Sequence, residues 1–113
     1  MIDPSYKDYI EKNFPEGHKL RLRLQRDEKL LIEKPSEFIE REFTLLITDP
    51  IDASKHHLFF EAGCGDGNMG CRNYVTTITF NRLALSQEEA VASAIQDVKE
   101  AGFTAVLVED ENY

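Results

Sequence analysis

Residues 58–70 read LFFEAGCGDGNMG: an apolar run, an acid at Glu61, then glycines at 63, 65 and 67. Two folds can be written this way. If a helix comes next, the glycines form the strand-to-helix turn of a doubly wound sheet, with backbone amides facing a ligand at the helix N-terminus. If a strand comes next, they bend a hairpin connection, because glycine accepts the positive φ that tight turns require. The chain continues with Arg72-Asn73-Tyr74-Val75-Thr76-Thr77-Ile78-Thr79-Phe80. This segment is β-branched and alternating, which predicts a strand over 74–80. With His57–Ala62 also read as a strand, the glycine-rich stretch becomes the bent loop at a hairpin tip.

On the C-terminal side, Ser86 begins Ser-Gln-Glu-Glu, a capping box for a helix over 86–101. Val91, Ala94, Ile95 and Val98 line one face of that helix, with Gln87, Glu88, Asp97 and Lys99 on the rest. Gly102 is placed to end it in a left-handed conformation. Thr104–Val108 is a continuous apolar run, which predicts a strand buried on both faces. Strand, helix and strand over 74–108 then form a crossover that makes its two strands parallel. The helix stripe should lie on the inward residues of those strands, including Ile78, Phe80 and Leu107.

On the N-terminal side, Asp3 and Pro4 open a helix to Phe14, with Tyr6, Tyr9, Ile10 and Phe14 at helical spacing. Pro15 and Gly17 stop it. Lys19–Gln25 alternates Leu20, Leu22 and Leu24 with Arg21 and Arg23, the pattern of a half-buried strand. Arg26-Asp27-Glu28 reads as a turn and Lys29–Glu33 as a second strand. Residues 34–42 fit either a short helix capped by Ser36 or an extension of the next strand. Phe43–Thr48 is a strand ended by Asp49-Pro50. Together these give one α+β domain over residues 1–113. Its mixed, mainly antiparallel β-sheet has about five strands, with an N-terminal helix and a C-terminal β-α-β crossover helix packed on it.

The chain has 113 residues, enough for one core. Its formal net charge of -8 argues against nucleic acid as a direct partner, since phosphate binding is driven by Lys and Arg. It leaves open a basic partner, or imitation of a nucleic acid's own charge. No apolar run approaches the roughly 20 residues that span a bilayer, and MIDPSYKDYIEKNF has no secretory pattern. A cytoplasmic protein with no membrane partner is expected, and in that compartment Cys64 and Cys71 are expected as free thiols.

Phe60-Glu61-Ala62-Gly63-Cys64-Gly65-Asp66-Gly67-Asn68 resembles the first motif of class I S-adenosylmethionine-dependent methyltransferases. The resemblance implies that Glu61, Gly63, Gly65, Asp66 and Gly67 line a cofactor. It covers about a dozen residues, and its surroundings differ. A strand rather than a helix is predicted after the glycines, and only one helix and one strand remain before Tyr113. A second ligand set is zinc: His56, His57, Cys64 and Cys71 supply the correct number of donors. Their spacing is not that of a zinc knuckle, and neighbouring histidines on a strand point to opposite faces. Cys64 has no base partner identifiable in the sequence, and nothing singles out a carboxylate among 21 acids as catalytic.

The function expected from these residues is that of a small acidic, non-enzymatic binding or regulatory protein, working without a cofactor through a protein partner, with homodimerisation among the assemblies allowed. The expected contact surface is the sheet face carrying Arg21, Arg23, Thr77 and Thr79. The alternatives are a small-molecule or cofactor site over residues 61–71, discriminated by a helix after Gly67, and a zinc site.

Overall fold

The computed structural model describes residues 3–72 and 75–108, and for Ala53 and Arg72 the backbone alone. The start of the predicted strand at Tyr74 and the acidic run Glu109–Asn112 lie outside the described residues. The chain falls into two compact units, residues 1–38 and residues 39–113.

In the first unit, helix α1 spans Pro4–Asn13, with the Asp3 carboxylate accepting the Ser5 amide at 2.8 Å and proline at the first turn. The next segment overturns two expectations. Lys19–Glu33 is one 15-residue helix, α2, not two strands and a turn. Leu20 and Leu24, four residues apart, are both buried, whereas Leu22 between them is 53% exposed. Strict alternation would have buried all three. Residues 19–31 contain no β-branched side chain and are rich in Leu, Arg, Lys, Gln and Glu, which lose little rotamer freedom in a helix. His18 caps α2, its Nδ1 accepting the Leu20 amide at 3.1 Å. Ile10, Leu20 and Leu24, with Phe14 beside them, form the small core of this unit. Residues 34–42 divide at Phe38. The Glu37 and Phe38 amides turn back onto the Lys34 carbonyl, and strand begins at Ile39.

Among the described residues, the second unit holds a four-stranded sheet of order β2-β3-β1-β4, comprising β1 Ile39–Ile47, β2 Gly67–Arg72, β3 Val75–Ala84 and β4 Ala105–Leu107. All three pairings are antiparallel, so the expected mixed sheet of about five strands is corrected on both counts. The class, α+β, stands. The crossover is seen in altered form: β3 and β4 both run antiparallel to β1 and hence parallel to each other, but β1 lies between them.

Helix α4, Gln87–Glu100, joins β3 to β4. The Ser86 hydroxyl accepts the Glu89 amide at 3.1 Å, and Gly102 comes after the helix at φ 97°. Ala90, Ala94 and Val98 are fully buried against Phe43, Leu45, Ile47, Ile78 and Phe80 of the sheet, with Val91 and Ile95 half-buried beside them. The Phe43 and Phe80 rings stack with centroids 5.2 Å apart. Thr104–Val108 is not buried on both faces. Ala105 is inward, but Val106 is 48% and Leu107 37% exposed, as befits a short edge strand. Leu107 is therefore not a core partner of the helix.

His57–Ala62, expected as a strand, is helical: α3 spans His56–Phe59 and continues as a wider π-type turn over Phe60–Cys64. The run lacks β-branched residues and alternation. Phe59 is buried, its ring stacked on Phe103 at 4.7 Å between centroids.

Candidate functional site

The glycine-rich stretch sits between that π-type turn and β2, and each end of it is fixed differently. At Gly63 the backbone leaves helical geometry, with φ 114°, a conformation that favours glycine. At Gly67 the chain enters β2 and pairs with Phe80 of β3. A Cβ added there would stand 2.5 Å from Cγ2 of Ile78 and 3.0 Å from the Phe80 ring, so the missing side chain is what lets β2 lie against the core. Gly65, by contrast, has φ -65°. The hairpin is thus β2–β3 itself, and glycines 67 and 70 lie within its first strand. The stretch is not the hairpin tip, and only Gly63 of its glycines has positive φ.

Beneath this stretch lies Arg82, 4% exposed. It comes after Ile78 and Phe80 on the inward face of β3, and its Cζ stands 5.0 Å from the Phe80 ring centroid. All five of its N–H donors are taken. Nε donates to Asp66 Oδ2 at 2.7 Å, and Nη2 donates to Asp66 Oδ1 at 2.8 Å and to the Gly63 carbonyl at 2.9 Å. Nη1 donates to Asp97 Oδ2 at 2.8 Å and to the Ser93 hydroxyl at 3.0 Å. Ser93 in turn donates to the Ala90 carbonyl at 2.9 Å, one turn back in α4. One guanidinium therefore ties together β3, the glycine-rich stretch and α4.

The electrostatics explain how a cation is tolerated there. Burial by itself would lower the arginine pKa, but the hydrogen bonds and charge of Asp66, followed by those of Asp97, raise it above its ordinary value. Arg82 stays charged at every pH at which the protein would be handled. Asp97 is 1% exposed, whereas the Asp66 side chain keeps 32% of its surface. Asp97 was expected on the outer face of its helix. It is buried because position 97 lies over the Ala90, Ala94 and Val98 stripe, and Arg82 supplies the charge that makes burial tolerable.

Comparison with known protein families, curated proteins and solved structures finds no match to this chain.

The residues singled out from sequence do not converge on one site. Of the five expected to line a cofactor, Asp66 and Gly63 bind Arg82, Gly67 abuts Ile78 and Phe80, and Glu61 and Gly65 are exposed. His56, His57, Cys64 and Cys71 are not brought together. Among the described residues no group of three or more His, Cys, Asp or Glu side chains could hold a metal ion. Cys64 is buried, Cys71 is exposed, and neither forms a disulfide.

Arg21 and Arg23 are on α2, so they do not project from a sheet face as expected. Arg21 Nη1 lies 3.3 Å from the carbonyls of Glu11 and Phe14, closing the end of α1. Thr77 is buried, and the Thr79 hydroxyl lies 3.1 Å from that of Thr44 across the β1–β3 pair. No helix among the described residues is long and apolar enough to cross a membrane.

Proposed function

We propose that this chain is a small acidic, non-enzymatic binding or regulatory protein that acts through contacts with another protein. The observation that carries this reading is the direction in which the glycine-rich stretch is engaged. Both Asp66 oxygens and the Gly63 carbonyl, groups a cofactor turn would turn outward, are directed inward onto Arg82. The chain then enters a strand at Gly67, not a helix whose N-terminus could face a phosphate or carboxylate. A buried cluster whose donors are all satisfied within the fold serves to fix a scaffold. The proposed setting is cytoplasmic, without nucleic acid or membrane as direct partner, and with no cofactor.

The test is photo-crosslinking in the cells that make the protein, with the crosslinker placed in turn at exposed positions of each unit. Discrete products concentrated on one surface support the reading. A small molecule that co-purifies with the chain and is lost in Gly65→Val would favour the ligand-binding alternative, because that side chain would meet the Phe60 ring at the stretch itself.

A further inference from the structure

The charge of the chain is unevenly divided. Residues 1–38 hold eight Lys and Arg against eight Asp and Glu, so the whole net charge of -8 falls on residues 39–113, with five against thirteen. Of those five cations, Arg82 is buried, and the acid Asp97 is buried with it, so their loss from the surface leaves the balance unchanged. Residues 39–113 therefore carry a strong net negative charge.

One edge of this sheet is β4. The Val108 amide donates to the Thr44 carbonyl, and the Thr48 amide donates to the Thr104 carbonyl, both at 3.0 Å. Alternation along an antiparallel ladder then turns the N–H and C=O of Ala105 and Leu107 away from β1, and among the described residues no strand lies beyond them. Val106 and Leu107 project to opposite faces of the sheet and are both exposed, so a strand laid alongside would cover apolar surface on each face. The opposite edge, β2, is Gly-Asn-Met-Gly-Cys-Arg and offers no such pair.

We infer that the edge of β4 takes up an extended, Lys- and Arg-bearing segment of a protein partner as an added strand. Main-chain hydrogen bonds to Ala105 and Leu107 supply the pairing, and Val106 and Leu107 supply apolar contact. The net negative charge of this unit draws in the basic segment and selects it. A second copy of the chain is disfavoured as occupant, because each sheet unit would bring its own charge of -8 to the same contact. The inference deepens the protein-binding function proposed above and rests on it.

The experiment uses the full chain and two probe peptides, acetyl-Lys-Val-Lys-Val-Thr-Val-Lys-amide and its counterpart with Glu for Lys. Amide hydrogen exchange is read residue by residue. The basic peptide should slow exchange at Ala105 and Leu107 at least tenfold, saturably and less at high salt, while the acidic one should not. Leu107→Pro removes an outward donor without removing a bond to β1. It should weaken the basic peptide at least tenfold while the Thr48 and Val108 amides stay protected. Equal effects of the two peptides, or none, overturn the inference. So does protection of Ala105 and Leu107 before any peptide is added, whether in a monomer or with a doubled mass. A crosslinked protein partner that is retained by Leu107→Pro would sink the edge assignment and leave the protein-binding function standing.

Discussion

Arg82 and Asp66 meet as a two-pronged pair, Nε on Oδ2 at 2.7 Å and Nη2 on Oδ1 at 2.8 Å, across 16 residues of sequence. This fork fastens the glycine-rich stretch to the inward face of β3. The planar guanidinium matches the carboxylate in a way a lysine would not. Arg82 also holds Asp97, so the two acids share one cation but differ in their access to water.

That difference predicts unequal costs. Asp97→Ala leaves a charged Nη1 donor of Arg82 without its acceptor where water cannot replace it, with Asp66 still pairing the charge, and should destabilise by at least about 3 kcal/mol. Asp66→Ala removes the partner that still reaches solvent, and water can replace part of the lost pairing. It should cost about 1–3 kcal/mol. Urea unfolding of the two variants checks the order.

Gly67 and Gly70 lie on the same strand yet should respond unequally to alanine. The Cβ at 67 would stand 2.5 Å from Ile78 Cγ2, so Gly67→Ala must displace β2 or the core, at about 1–3 kcal/mol. At Gly70 the nearest atom would be Thr77 Oγ1 at 3.6 Å, an ordinary contact. Gly70→Ala should change stability by under roughly 0.5 kcal/mol. Thermal melts of both variants are sufficient.

His18 acts in the first unit as a helix cap. Replacing it by alanine removes the acceptor for the Leu20 amide and the ring that stands 4.6 Å from that of Phe14. The loss should be about 0.5–2 kcal/mol. His18→Asn keeps a capping acceptor and should recover much of it, which circular dichroism of the helical signal on heating would register.

The two thiols should titrate at separate rates. Cys71 is exposed and should react at once with an aromatic disulfide reagent, whereas Cys64, 6% exposed, should react only as the fold opens. One equivalent released in buffer and two in denaturant is the expected result. Two fast equivalents would mean that the π-type turn does not cover Cys64.

Legibility in the sequence depended on the nature of each signal. Helix α4 was readable because Ser86, the apolar stripe and Gly102 agree with one another. Strand β3 was readable because its Thr and Ile residues are β-branched. Helix α2 was misread because Leu at 20, 22 and 24 satisfies a period of two and also places 20 and 24 on one helical face; the composition of the surrounding residues was the deciding signal. Helix α3 was misread because a short apolar run before glycines reads as a strand in isolation.

The pairing of Arg82 with Asp97 leaves traces in the sequence. Arg82 falls in step with Ile78, Phe80 and Ala84 on β3, and Asp97 falls in step with Ala90 and Ala94 on α4. A charge on each of two apolar faces that must meet is a sign of an ion pair between them. Asp66 carried no comparable signal, since its role depends on the turn at Gly63.

The most direct measurement is urea unfolding of the wild-type chain and of Asp66→Ala, each with and without millimolar S-adenosylmethionine. If the glycine-rich stretch is fastened inward, Asp66→Ala lowers the ligand-free midpoint and the ligand moves neither curve. A rise in the wild-type midpoint with ligand, abolished by Asp66→Ala while the ligand-free midpoint stays unchanged, would contradict it and make the stretch a cofactor site.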